Sequence, residues 1–219
     1  NAMKSAMESV WSYAPALADK IREEENRTDK YEDILGTYLL KLGALPLSDA
    51  ESEEVTELLK LIGDFERIGD HAVNVIESAE ELHEKQLEFS RSAKYELSVM
   101  SSAVCEVLDL AVKAFADNDA QAAKAVEPLE QVVDDLKNEL RTRHILRMKK
   151  GECSIEAGFV WSDLLTDLER ASDHCSNIAL CVLDMKKHTL SAHETQHERE
   201  DVPEFSDQYR RYSEKYALP

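Results

Sequence analysis

Residues 64–77 read DFERIGDHAVNVIE, and residues 167–180 read DLERASDHCSNIAL. Asp, Glu, Arg, Asp, His and Asn recur in register, 103 residues apart. A second pair of stretches precedes them: Glu25-Asn-Arg-Thr-Asp29 and Glu130-Gln-Val-Val-Asp134, 105 residues apart. Self-similarity over this distance means that the 219 residues are two copies of one supersecondary unit. Any fold proposed for the chain has to be built twice.

The unit is helical. Apolar residues recur at helical spacing and turn residues fall between them. Met3, Met7, Val10 and Trp11 form a short first stretch. A second helix is expected from about Ser12 to Leu42, stopped by Gly43. Ser48-Asp-Ala-Glu51 matches a capping box and opens a third, to about Lys85. A fourth covers about Ser92 to Ala116, and Asp117-Asn-Asp119 makes a turn. The fifth runs to about Lys150, ends at Gly151 and either starts late or kinks at Pro128. Ser154 caps a sixth, to about Lys187. The segment 191–203 is polar and is expected to be loose. Phe205, Tyr209, Tyr212 and Tyr216 then line one face of a short terminal helix, which docks on the bundle or holds a partner. Few Gly and Pro and little aromatic content agree with an all-α chain. Long helices with short connections pack as antiparallel neighbours. The expected architecture is tandem three-helix bundles, with residues 1–88 as the first repeat, 89–190 as the second, and 191–219 as a linker and tail. The first bundle lacks most of its first helix.

Each unit carries Glu-x-x-x-Asp on two successive helices. A spacing of four puts both carboxylates on one helical face, where they repel one another unless a cation or a basic group intervenes. Glu25 lies 18 residues before Gly43, and Glu66 lies 18 after Ser48. In an antiparallel hairpin those counts bring the acids to one height. The candidate metal ligands are therefore Glu25, Asp29, Glu66, Asp70 and Asn74 in the first copy. Glu130, Asp134, Glu169, Asp173 and Asn177 are their equivalents in the second. Such an oxygen-rich set suits iron or zinc, or manganese, magnesium or calcium. His71 and His174 follow the second aspartate and are candidates to orient a ligand from behind it. On the bland alternative, the acids are a solvated face and the histidines make local hydrogen bonds. Position 77 is Glu where position 180 is Leu, and the residues inside the first pair are the more polar. Both features predict unequal sites, the first more exposed and weaker.

Net charge excludes one class of function. At −19, the chain repels phosphate backbones, so no nucleic-acid partner is expected. Cys105, Cys153, Cys175 and Cys181 form no CxxC pair and read as reduced structural thiols. No apolar run is long enough to span a bilayer. Asn1 and Ala2 ahead of Met3 look like the remnant of a tag.

With those residues in view, GDFERIGDHAVNVIE and TDLERASDHCSNIAL resemble the signature of the PhoU family, whose fold is a tandem three-helix bundle. The Glu25/Asp29 and Glu130/Asp134 pairs look like the family's other acidic motif. The resemblance covers about residues 12–190. It implies a regulator of phosphate uptake or phosphate signalling, not an enzyme, and iron or zinc clusters at these motifs. The closing segment, Tyr209-Arg-Arg-Tyr212 onward, resembles the end of bacterial sodium/phosphate cotransporter-like proteins. That likeness implies a cytoplasmic domain at the inner face of the membrane. Its implied partners are a phosphate transporter's membrane domain, phosphate itself and a second copy of the chain. Two rival readings stay open. One is a carboxylate-bridged di-iron enzyme of ferritin type, for which Glu80-Glu-Leu-His83 is the one candidate Glu-x-x-His and has no counterpart in the other copy. The other is a metal-free helical interaction module.

Overall fold

The computed structural model describes residues 1–190 and 201–219, the side chains of 187–190 and 201–202 excepted. Seven helices and no strand occur among the described residues: α1 (Ala2–Ser9), α2 (Pro15–Gly43), α3 (Asp49–Glu84), α4 (Arg91–Ala116), α5 (Ala120–Lys149), α6 (Ile155–Leu190) and α7 (Asp201–Lys215). Of the stretch expected to be loose, residues 191–200 lie outside the described residues, and 201–203 open α7.

The helix ends follow from local chemistry. At α3, Ser48 Oγ accepts from the Glu51 amide, and the Ser48 amide donates to Glu51 Oε2 at 2.8 Å, which is the reciprocal box the sequence signals. At the end of α5, Gly151 has φ +70°. Its amide bonds Met148 O, and the Glu152 amide bonds Arg147 O, both at 3.0 Å. This left-handed cap satisfies carbonyls that the helix leaves open. Asn118 (φ 51°) closes α4 and Gln86 (φ 52°) closes α3 with the same pair of bonds. Gly43 ends α2 as expected, but not through a left-handed cap. It is the last residue of α2, has no left-handed φ, and lies against Val55. The helix stops there because Leu45-Pro46 cannot continue it. Pro128 neither delays nor ends α5, and it lies buried within the helix.

The helices group as α1–α3 and α4–α6. In the first set α1 and α2 pack on α3, and in the second α4, α5 and α6 pack on one another. The two sets meet where α3 runs along α6, and one apolar core continues through both. The tail helix α7 packs on α5. Tyr216 is buried there, with Tyr209 and Tyr212 against the core, so the aromatic face docks on the bundle.

The two halves differ in how well their second helix is covered. In the second, α4 has 26 residues, and Leu136 and Leu140 are 5 % and 0 % exposed. Their counterparts, 105 residues earlier, are Tyr31 and Leu35. The 8-residue α1 leaves these 57 % and 44 % exposed, with Ile34 and Tyr38 beside them. The first bundle is open along that stripe.

Gly151→Ala forces a Cβ into the left-handed region and should cost about 1 kcal/mol of stability in urea titrations. Asn118→Gly, at the same place in the α4 cap, should cost nothing. Equal behaviour of the two variants would show that these caps do not limit the helices.

Candidate metal centre

Ile21 and Ala18 bury one side of α2 and turn Glu25 and Asp29 toward the flank it shares with α3. The α3 face that carries Glu66 and Asp70 meets them. A carboxylate oxygen from each of Glu25, Asp29 and Asp70 lies within 4.8 Å of the other two. Glu66 joins through Asp70, with which it shares a hydrogen bond. Gly69 faces the Glu25 side chain, where an added Cβ would make ordinary contact at 3.9 Å from Cγ. Burial, then the charges of Asp29 and Asp70, raise the Glu25 carboxyl above its ordinary value. Burial and Asp70 likewise raise Glu66, Glu32 adds to the effect, and Arg67 opposes it. Arg67 reaches Asp70 Oδ2 at 3.2 Å and Glu66 Oε2 at 3.5 Å from a side chain that is 60 % exposed.

The second copy is arranged differently. Glu130 pairs with Asp173. Burial, that hydrogen bond, and the charges of Asp173, Glu127 and Asp134 push Glu130 to about 8. Lys137 Nζ sits 2.7 Å from Glu169 Oε2, and Asn138 donates to Asp134 at 3.3 Å. Among the described residues, only the first copy brings three carboxylates within 4.8 Å.

Asn74 and Asn177 do not extend the carboxylate rows. Asn74 Nδ2 donates to Asp167 Oδ1 at 3.0 Å, and His71 Nδ1 meets the same oxygen at 2.8 Å. Asn177 and His174 hold Asp64 Oδ1 at the same two distances. The His71 and His174 rings stack at 5.6 Å. The histidines and asparagines of each repeat thus grip an aspartate of the other, and they tie α3 to α6 instead of backing the acids. Sequence reasoning missed Asp64 and Asp167. The signal was present, because each opens its repeated motif seven residues before the His and ten before the Asn.

The Glu-x-x-His candidate is otherwise engaged. Glu80 accepts from Tyr13 and Arg22 at 2.6 and 2.7 Å, and His83 packs on the Tyr13 ring. The four cysteines are free thiols. Burial raises Cys175 to about 12 and Cys181 to about 11, which leaves neither nucleophilic. No described helix is long and apolar enough to cross a membrane.

The class that the fold and the site define is a duplicated helical bundle with acids on facing helices. The comparisons narrow it. A family profile described as PhoU domain matches residues 1–79 and 97–182. The chain belongs to the PhoU family. It is 28 % identical over 184 residues to the phosphate-specific transport system accessory protein PhoU homolog 1 of Thermotoga maritima, covering 80 % of this chain and 75 % of that one. The PhoU homolog of Deinococcus radiodurans is 27 % identical over 165 residues, covering 74 % and 76 %. The crystal structure of PhoU from Pseudomonas aeruginosa superposes with a TM-score of 0.77 at 24 % identity, over 85 % of this chain and 88 % of that one. The phosphate transport system regulatory protein PhoU from Streptococcus pneumoniae gives 0.66 at 20 %, over 88 % and 91 %. These relatives are accessory and regulatory proteins of phosphate transport.

Asp167→Ala strands the donors of His71 and Asn74 and should cost about 2 kcal/mol in urea unfolding. Asp64→Ala should cost a similar amount from the mirrored position, and no loss in either variant would dismiss the latch. Glu130 gives a pH signature in metal-free protein. The unfolded chain ionises near its ordinary 4.5 while the folded carboxyl keeps its proton to about 8. Its contribution is therefore complete below 4.5 and is lost as pH rises toward 8. Glu130→Gln should flatten the melting temperature across that window, and an unchanged slope would assign the pH dependence elsewhere.

Proposed function

We propose that this chain is a regulatory accessory module for phosphate transport or phosphate signalling whose facing carboxylates bind metal ions. The observation that carries the reading is the convergence of Glu25, Asp29 and Asp70 within 4.8 Å, where burial and the two neighbouring aspartates raise the Glu25 carboxyl. Groups that hold protons against one another gain when a metal ion replaces the protons. The donor set is all oxygen, which fits a hard or borderline cation such as iron, zinc or manganese, with magnesium or calcium less demanding alternatives.

Glu25, Asp29, Glu66 and Asp70 would hold the ion in the first copy, and Glu130, Asp134, Glu169 and Asp173 are the corresponding acids of the second. A bound multivalent cation supplies local positive charge. On a chain of net charge −19, that charge gives an anion such as phosphate a place to bind. The protein side chains contribute the fastening between the repeats: His71, His174 and their aspartates tie α3 to α6. The partner is a phosphate transporter at the inner face of the membrane, joined to this chain or separate from it, as in the sodium/phosphate cotransporter-like proteins it resembles. The open stripe of α2 at Tyr31, Ile34, Leu35 and Tyr38 is an apolar surface available to such a partner or to a second copy.

Plasma mass spectrometry tests the reading on protein reloaded with iron, zinc or manganese, beside the Glu25→Gln/Asp70→Asn variant. Retained metal that the variant loses, with a higher melting temperature in the loaded wild type, is the expected result. Equal metal in both would remove Glu25 and Asp70 from the ligand set, and none in either would leave a metal-free interaction module.

A further inference from the structure

The metal reading treats the two copies alike, but one position separates them. Lys137 stands on α5 three residues after Asp134, and its counterpart, 105 residues earlier, is Glu32 on α2, three after Asp29. Glu32 adds negative charge beside Glu66. Lys137 puts an ammonium 2.7 Å from Glu169, the counterpart of Glu66, with both side chains largely buried (21 % and 13 % exposed). The sign of the charge at the mouth of the group is reversed between the copies.

We infer that Lys137 is a built-in counter-ion that takes, in the second repeat, the place of the cation bound in the first, so that the chain holds its metal at the Glu25/Asp29/Glu66/Asp70 group alone. This inference rests on the metal reading above.

The partners of each carboxylate agree with it. In the second copy two acids of the set have companions inside the protein. Glu169 has Lys137, and Asp134 has the Asn138 amide. Glu127, a further acid at the far end, accepts the Ser176 hydroxyl. In the first copy Glu25 faces Asp29 and Asp70, and among the described residues the basic group paired with the set is Arg67. That guanidinium lies on the rim, mostly in water, and can swing aside at little cost. Lys137 cannot leave as cheaply. Removing one partner of a buried pair strands the other charge, and a multivalent cation entering beside the ammonium meets direct repulsion. The sequence expectation of a weaker first site is reversed by this arrangement, because burial of the second group is matched by a fixed cation.

The probe is Mn2+, measured by equilibrium dialysis on stripped protein, with circular dichroism to verify folding. Wild-type binding should vanish in Glu32→Lys. It should roughly double in Lys137→Glu, where a second carboxylate group is opened. Lys137→Met removes the ammonium without adding an acid and should also raise the bound Mn2+, at weaker affinity. Lys137→Glu should melt lower than wild type without metal and recover on Mn2+ addition, a response that a purely structural salt bridge would not show. Wild type that binds Mn2+ at both groups, lost in equal part by Glu25→Gln and by Glu130→Gln, overturns the inference and leaves the metal reading standing. Lys137 variants that bind no more than wild type overturn it in the same way. No Mn2+ on any of the proteins overturns both.

Discussion

Asp64 and Asp167 are where the two repeats are fastened. Each is a carboxylate at a helix–helix seam, and each would be costly to place there without donors. The donors come from the other repeat, one imidazole and one amide apiece. Apolar packing between α3 and α6 is non-directional and would tolerate sliding. The paired bonds set one register and bring His71 and His174 into a stack at the centre. Because α2 hangs on α3 and α5 on α6, that register also determines where the two carboxylate groups lie with respect to each other.

The carboxylate groups are held by the same helices on their flanks, at the expense of stability. Burial raises Glu25, Glu66 and Glu130 alike, which is the signature of acids placed where water cannot fully serve them. A fold optimised only for stability would replace them with apolar or oppositely charged residues. Lys137 shows that this solution is accessible in the scaffold, since the second repeat uses it at one position. The first repeat carries Glu32 there instead, and only the largely exposed Arg67 offsets its negative field.

Much of the fold was legible in residue order, because helices are specified locally. Apolar spacing located five long segments and two short ones, Ser48 with Glu51 marked a start, and Gly151 marked a stop through its left-handed φ. Gly43 marked the end of α2 correctly but by another route, since it ends the helix without a left-handed φ and Pro46 follows. The spacing of four correctly put Glu25 with Asp29 on the α2 flank facing Asp70. The same rule extended to Asn74 and Asn177 failed. Each further turn rotates a residue around the helix axis, and by that turn the face points across the seam to the other repeat. Contacts between repeats depend on how α3 crosses α6, which no spacing within one helix encodes. Lys137 was invisible for a related reason. A lysine beside an acidic motif is common, and only the packed hairpin shows that it points inward at Glu169.

Duplication also explains where the halves were free to diverge. Leu39, Leu42 and Leu58 in the first repeat correspond to His144, Arg147 and Trp161 in the second. In the second, His144 stacks on Trp161 at 5.4 Å, Arg147 lies over the same ring at 5.2 Å, and Glu96 of α4 binds Arg147 at 2.6 Å. A full-length α4 supplies the carboxylate that makes a buried guanidinium tolerable there. In the first repeat the equivalent positions are leucines: Leu39 is buried, and Leu42 and Leu58 are partly so. An arginine at any of them would be ruinous without an acid to meet it, whereas leucine needs only apolar neighbours. The polar core of the second repeat thus depends on Glu96, the carboxylate that α4 brings to the Arg147 guanidinium.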